Sequence, residues 1–222
     1  MRPYYQPMTL AEGRILSINI ARESEAQTWS GSGMRTGIRK LPVEGLVQFG
    51  DDALAGDTVV DREHHGGFHQ AVYAYAREDA IWWEEKIGRD IAPGQFGENL
   101  TIEGLDVTNA VIGERWQIGD LVLEVSGPRI PCRVFSGFWD RPTLIKEFTE
   151  ANRPGAYLRI IDEAMVERGA RIEVTSRPNH GITIADFFAA KSGERSKIHE
   201  ITQVVELSEK DRDWARKIAE SR

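Results

Sequence analysis

A single cysteine, Cys132, stands among 222 residues. That scarcity excludes an intrachain disulfide framework and a self-supplied four-cysteine zinc or iron–sulfur site. Any electrons the chain uses must come from elsewhere. No run approaches the roughly 18 consecutive apolar residues of a membrane span. The opening stretch Met1-Arg2-Pro3-Tyr4-Tyr5-Gln6-Pro7 has no apolar leader region. A soluble, cytoplasmic protein without a membrane partner is therefore expected. Basic charge is also short, with 28 Lys and Arg against 35 Asp and Glu and a net charge of −7. Lacking a basic stripe, the chain is not expected to bind nucleic acid through its phosphates. Nucleotide fingerprints are missing too: Thr36 takes the place of the third glycine of G-x-G-x-x-G, and the P-loop spacing is absent. No G-x-S-x-G elbow supports a hydrolase, and no internal repeat is present.

What is there centres on Ser126-Gly127-Pro128-Arg129-Ile130-Pro131-Cys132-Arg133, which follows the apolar run Leu121 to Val125. Two prolines fix φ on either side of Ile130 and bias the residues before them towards extended conformations, so the segment leaves its strand as a stiff elbow. Arg129 and Arg133 flank the thiol, and nearby cationic charge favours thiolate, the form that acts as nucleophile or metal ligand. The structural alternative is a small buried hydrophobe, the commonest role of a lone cysteine.

Upstream, residues 13–22 alternate apolar and polar side chains as a half-buried strand does. Gly31 to Lys40 is a glycine-rich basic loop suited to weak anion contact, or simply a solvated hairpin loop. Extended runs around Val43 to Phe49 and Thr58 to Val60, with turn signals between them, point to an all-β barrel or sandwich. Three of the five histidines fall in Glu63-His64-His65-Gly66-Gly67-Phe68-His69. His65 and His69 have helical zinc-ligand spacing, but Gly66 and Gly67 argue against a helix, which leaves a ligand-facing loop or a tight turn. Residues 77–88 read as an amphipathic helix whose tryptophans pack onto the barrel. Asn99 is an acceptor and donor for a polar ring, or an Asx turn. Arg115 to Val125 reads as strand, turn, strand. Asp140 is an N-cap candidate for a helix to about Ala151, and runs 156–161 and 170–174 close the sheet. Beyond Gly181 the pattern becomes helical, approximately Ile184–Lys191, Lys197–Val205 and Glu209–Glu220. This charge-balanced tail is too small to fold alone with ease, so it docks on the main domain or on a second subunit, as in a homodimer.

Taken together, Thr36-Gly37-Ile38 with Lys40, Gly56-Asp57, His65-Gly66-Gly67, Ala71-Val72-Tyr73-Ala74-Tyr75, Gly97-Glu98-Asn99-Leu100 and Pro128-Arg129-Ile130-Pro131-Cys132 resemble the MOSC family, the molybdenum cofactor sulfurase C-terminal domain, in its stand-alone bacterial YiiM type. The resemblance covers about residues 35 to 175. It implies a mainly β fold with added helices: a MOSC-type β-barrel of the pyruvate-kinase-insert kind over residues 1–180, followed by a three-helix C-terminal extension over 181–222. It further implies a molybdopterin cofactor, with Cys132 as the protein ligand to molybdenum. The cofactor would be bound through Thr36, Gly37, Lys40, His65, Gly66, Gly67, Gly97, Glu98, Asn99 and Arg129. One departure is visible. After the glycine pair the family usually reads a variable residue, then Asp, then Lys or Arg, where this chain has Phe68-His69-Gln70. The phosphate contact would then fall to Lys40, Arg35 or Arg129.

The resemblance supplies an expected activity, molybdenum-dependent reduction of N-hydroxylated compounds such as 6-hydroxylaminopurine. Cys132 and His65 are its catalytic candidates, His65 as proton donor, and a separate flavin or iron–sulfur reductase would supply electrons. A sulfur or cofactor carrier using the same thiol and a non-catalytic binding module are the alternatives. All the site readings expect Cys132 at the wall of a cleft shared with His65, Asn99 and Lys40.

Overall fold

The computed structural model describes residues 11–27, 29, 34–50, 52–60 and 66–221. The chain runs through β1 (Glu12–Ile20), the two-residue ribbon β2 (Glu25–Ala26) and β3 (Arg35–Thr36), then β4 (Leu41–Val43), β5 (Val47–Gly50) and β6 (Ala53–Leu54). A 3-10 turn at Phe68–Gln70 enters β7 (Val72–Ala76), followed by α1 (Arg77–Ile87), β8 (Leu100–Glu103), β9 (Arg115–Ile118) and β10 (Leu121–Pro128). Next come α2 (Arg133–Phe138), α3 (Leu144–Ala151), β11 (Ala156–Asp162), β12 (Ala164–Val166) and β13 (Arg171–Ser176). Helices α4 (Ile184–Lys191), α5 (Ile198–Ile201) and α6 (Glu209–Glu220) complete the order.

Seven strands close into a barrel in the order β13-β9-β10-β11-β7-β8-β1, with β1 returning to β13. The length of β1 makes the closure possible. Glu12 to Arg14 pair with β13, Ile18 to Ile20 pair with β4 on the same edge, and Arg14 to Ile18 pair with β8 on the other. Closure satisfies strand edges that an open sheet would leave bare. All pairs are antiparallel except β7 with β8, and α1 lies in the crossover that such a parallel pair requires. Strands β12, β5 and β6 form a separate small sheet.

Because side chains alternate along a strand, β7 feeds two cores. Val72, Ala74 and Ala76 enter the barrel interior. Tyr73 and Tyr75 face a second, largely aromatic cluster with Trp83 of α1, Phe96, Phe135 of α2, Phe148 of α3 and Phe188 of α4. Tyr75 stacks on Phe96 with ring centroids 4.2 Å apart, and Trp83 on Phe148 at 5.9 Å. This cluster underlies the cysteine elbow, and Cys132 packs against it.

Helices α4 to α6 dock on the barrel of this same chain. Ile184, Phe187, Ile198, Ile201, Val204, Leu207 and Ala215 share one apolar cluster with the barrel strands. A capping box between Thr183 and Asp186 starts α4, and Lys191 reaches Asp211 of α6 at 2.7 Å. Three local expectations are corrected. The segment expected at Lys197–Val205 is helical only over Ile198–Ile201. Asp140 does not cap α3: it has φ 47°, and Thr143 holds the N-cap position. Thr58 to Val60 forms no strand. No helix among the described residues is long and apolar enough to cross a membrane.

Candidate functional site

A cleft of about 400 Å³ opens between the segment Met34–Lys40, the segment Asp57–Val60, the turn from Gly66 to Ala71 and the elbow after β10. Cys132 forms part of its wall. Pro128 ends β10, Pro131 precedes the thiol, and Cys132 takes an extended conformation (φ −131°, ψ 174°) at the N-cap of α2. The elbow read from the two prolines is therefore a strand-to-helix corner, with the half-buried cysteine at its turn.

Arg129 comes off the same corner. Only 6% exposed, its guanidinium lies 4.1 Å from the centre of the Phe135 ring and 5.5 Å from that of Tyr73. Its Nη1 is buried without a hydrogen-bond partner among the described residues, although Arg129 lines the cleft. Gln70 Oε1, also in the lining residues, is a second buried polar atom without a partner among the described residues. A buried donor left unpaired costs about 1–3 kcal/mol, so this pair marks a place built to receive polar atoms. Beside them, burial pushes the Tyr73 and Tyr157 hydroxyls above the ordinary phenol range, and the Arg129 charge partly offsets it.

The opposite wall is organised by Asp57. Its Oδ1 accepts the Ala21 amide at 2.8 Å, and its Oδ2 accepts the Asn99 side-chain amide at 2.8 Å and the Lys40 ammonium. Asn99 is wholly engaged, since its Oδ1 also accepts the Tyr73 amide at 3.1 Å. Thr36 closes a local turn, its Oγ1 accepting the Ile38 amide at 3.1 Å. Gly37 brings backbone to backbone: a Cβ there would stand 2.1 Å from the Thr58 carbonyl oxygen. Gly97 has φ 78°, a conformation that side chains resist.

The cleft thus brings together Cys132, Thr36, Gly37, Lys40, Gly66, Gly97, Asn99 and Arg129. It does not bring in Glu98 or Gly67. Glu98 is buried behind the wall, where its carboxylate accepts the Gly94 and Phe96 amides at 2.6 and 3.0 Å and the Thr101 hydroxyl at 2.7 Å. Gly67 precedes the 3-10 turn. His65 lies outside the described residues. The side chain of His69 does not supply the cation missing after the glycine pair. Its Nδ1 accepts Arg159 Nε–H at 2.9 Å, and partial desolvation with the Arg159 charge holds the imidazole below its ordinary pKa. The asparagine expected to read a polar ring has no amide to spare, and Gln70 is better placed for it. Asp57 escaped the sequence reading as a site residue although Gly56-Asp57 was among the motif residues, because its partners lie 17 and 42 positions away.

A closed barrel carrying one thiol in a cleft whose walls come from widely separated loops is the class defined by fold and site. The chain matches the MOSC domain over residues 61–173. It is 32% identical over 170 residues to the uncharacterized protein YflK of Bacillus subtilis (strain 168), covering 77% of this chain and 76% of that protein. The crystal structure of YiiM from Geobacillus stearothermophilus superposes with a TM-score of 0.75 at 27% identity, covering 92% of this chain and 98% of the other. A protein named Reductase from Gibberella moniliformis (strain M3125 / FGSC 7600) is 29% identical over 156 residues, 67% of this chain but 27% of that longer protein. The chain belongs to the MOSC family.

Proposed function

We propose that this protein binds a molybdenum cofactor and reduces N-hydroxylated compounds, such as 6-hydroxylaminopurine, to the corresponding amines. The observation that carries the reading is Cys132 in the wall of a cleft that also holds Arg129, whose buried Nη1 has no hydrogen-bond partner among the described residues. The residues suit such a group. A thiolate is a soft ligand that matches a metal whose other sulfur donors come from the cofactor's own dithiolene, so one cysteine is enough. Arg129 Nη1 would donate to an anionic or carbonyl oxygen, and Gln70 Oε1 would accept from a ring N–H. The close backbone approach at Gly37 leaves no side chain in the way. When bound, the cofactor supplies two-electron redox chemistry at the end of the Cys132 side chain.

The chain's own residues do the rest. Met34, Ile38, Val59 and Val134 give the cleft an apolar wall for a flat base. Asp57 holds Lys40 and Asn99 in fixed positions on the other side. Electrons would arrive from a separate flavin or iron–sulfur reductase, because one cysteine cannot ligate a cluster. The relative named Reductase supports the reaction type. Turnover tests the reading: with an artificial electron donor, the cofactor-loaded protein converts many equivalents of hydroxylaminopurine. A carrier of sulfur or cofactor would stop at one equivalent or none, and that result would refute the reductase.

A further inference from the structure

We propose that Lys40 is the proton donor of the cleft, held in position by Asp57. The assignment rests on the reductive function proposed above and deepens it. Lys40 is 9% exposed and belongs to the cleft wall, while its Nζ donates to Asp57 Oδ2. Asp57 is itself fixed, by the Ala21 amide and the Asn99 amide at 2.8 Å each. The backbone of Lys40 is equally constrained, since a Cβ on Gly94 would stand 2.3 Å from its carbonyl oxygen. Asp57 is the one hydrogen-bond partner of Nζ among the described residues. An ammonium has three N–H bonds, so two have no partner among the described residues of this cleft-wall lysine.

The charged groups facing Lys40 are Asp57, on the turn after β6, and Glu98, just before β8. Burial lowers its pKa from the ordinary lysine range, and both carboxylates offset part of that. A lysine so lowered is a stronger acid than an exposed one and sits closer to the working range of a general acid. Two neighbouring acidic groups are occupied: the Glu98 carboxylate is enclosed by Gly94, Phe96 and Thr101, and the Tyr73 hydroxyl donates to the Pro154 carbonyl at 2.8 Å. Reduction of R–NHOH breaks the N–O bond and takes up two electrons and two protons, giving R–NH2 and water. The electrons come from the external reductase. Lys40 gives one proton to the departing oxygen, and solvent gives the second to nitrogen and reprotonates the amine.

Two measurements test this. In cofactor-free protein carrying 13C at the lysine ε-carbons, the signal lost in Lys40→Arg titrates below the other lysines, and in Asp57→Asn it moves lower still. In cofactor-loaded protein, Lys40→Arg retains its molybdenum but loses about 100-fold or more in kcat, and wild-type kcat falls as pH rises through the Lys40 value. Wild-type kcat in Lys40→Arg overturns the proposal. So does a rate limb near the ordinary histidine pKa of about 6.5 that vanishes in His65→Gln, or a Lys40 signal titrating with the remaining lysines. Loaded wild-type protein that reduces no N-hydroxylated compound overturns the function and this role with it, and the titration, which needs no turnover, tells the two failures apart.

Discussion

A guanidinium with one unpartnered nitrogen and an ammonium locked to a carboxylate are two different kinds of cation, and the cleft has one of each. Arg129 sits against aromatic faces that tolerate its charge, and its Nη1 has no hydrogen-bond partner among the described residues. Lys40 sits in an ion pair that Asp57 shares with two amides. A third charged residue, Arg159, has a structural task. It donates to His69 Nδ1, to Glu124 Oε1 at 2.5 Å and to the Glu206 carbonyl, tying the turn before β7 to the segment between α5 and α6. His69 faces Arg159 together with Asp211, Asp52 and Glu124. Its pKa is lowered in the folded state, so the unfolded chain binds the proton more readily and stability falls as pH drops through the ordinary histidine range. Denaturant titrations at pH 7.5 and 5.5 should show a larger loss for wild type than for His69→Gln, whose amide accepts from Arg159 without titrating. Equal losses would remove His69 from the account.

Among the elements, the loop between α1 and β8 depends on Glu98 rather than on its glycines alone. Two backbone amides and a hydroxyl converge on one carboxylate. In Glu98→Gln one of those donors meets an NH2 instead of an oxygen, and an unsatisfied buried donor costs about 1–3 kcal/mol. Chemical denaturation should show that loss; a change under about 0.5 kcal/mol would show the carboxylate to be dispensable. The elements themselves were unevenly legible. Residues 77–88 and the tail helices announced themselves through apolar periodicity, and the strands through alternation. Helix α2 did not, because Arg133–Phe138 is six residues long, includes Gly137 and follows two prolines that read as an elbow. Asp140 looked like a cap by residue type, yet its backbone is left-handed and the helix begins later. Of the motif residues, Cys132, Gly37, Gly66 and Gly97 line the cleft, whereas Gly56 and Gly67 do not. What local sequence could not carry were pairings between distant positions: Asp57 with Lys40 and Asn99, and Arg159 with His69.

On the scale of the whole molecule, barrel and tail share one core. Ile184, Phe187, Ile198, Ile201 and Leu207 are all within 3% of complete burial, in the cluster that fills the barrel. A chain ending at residue 180 would expose this surface, and losing even one such side chain costs about 2–5 kcal/mol. Residues 1–180 alone should therefore melt far below the intact protein or fail to fold. An unchanged Tm would make the tail a separable appendage. The aromatic cluster between barrel and helices has a matching consequence for function, because the thiol corner is packed against it.

The central claim is that the Cys132 corner ligates molybdenum. It is tested most directly by metal and pterin analysis of protein expressed with molybdate, wild type beside Cys132→Ser. The account predicts molybdenum and pterin approaching one equivalent in the wild type and a large loss of molybdenum in the variant, with both proteins folded. Equal molybdenum in the two would contradict it.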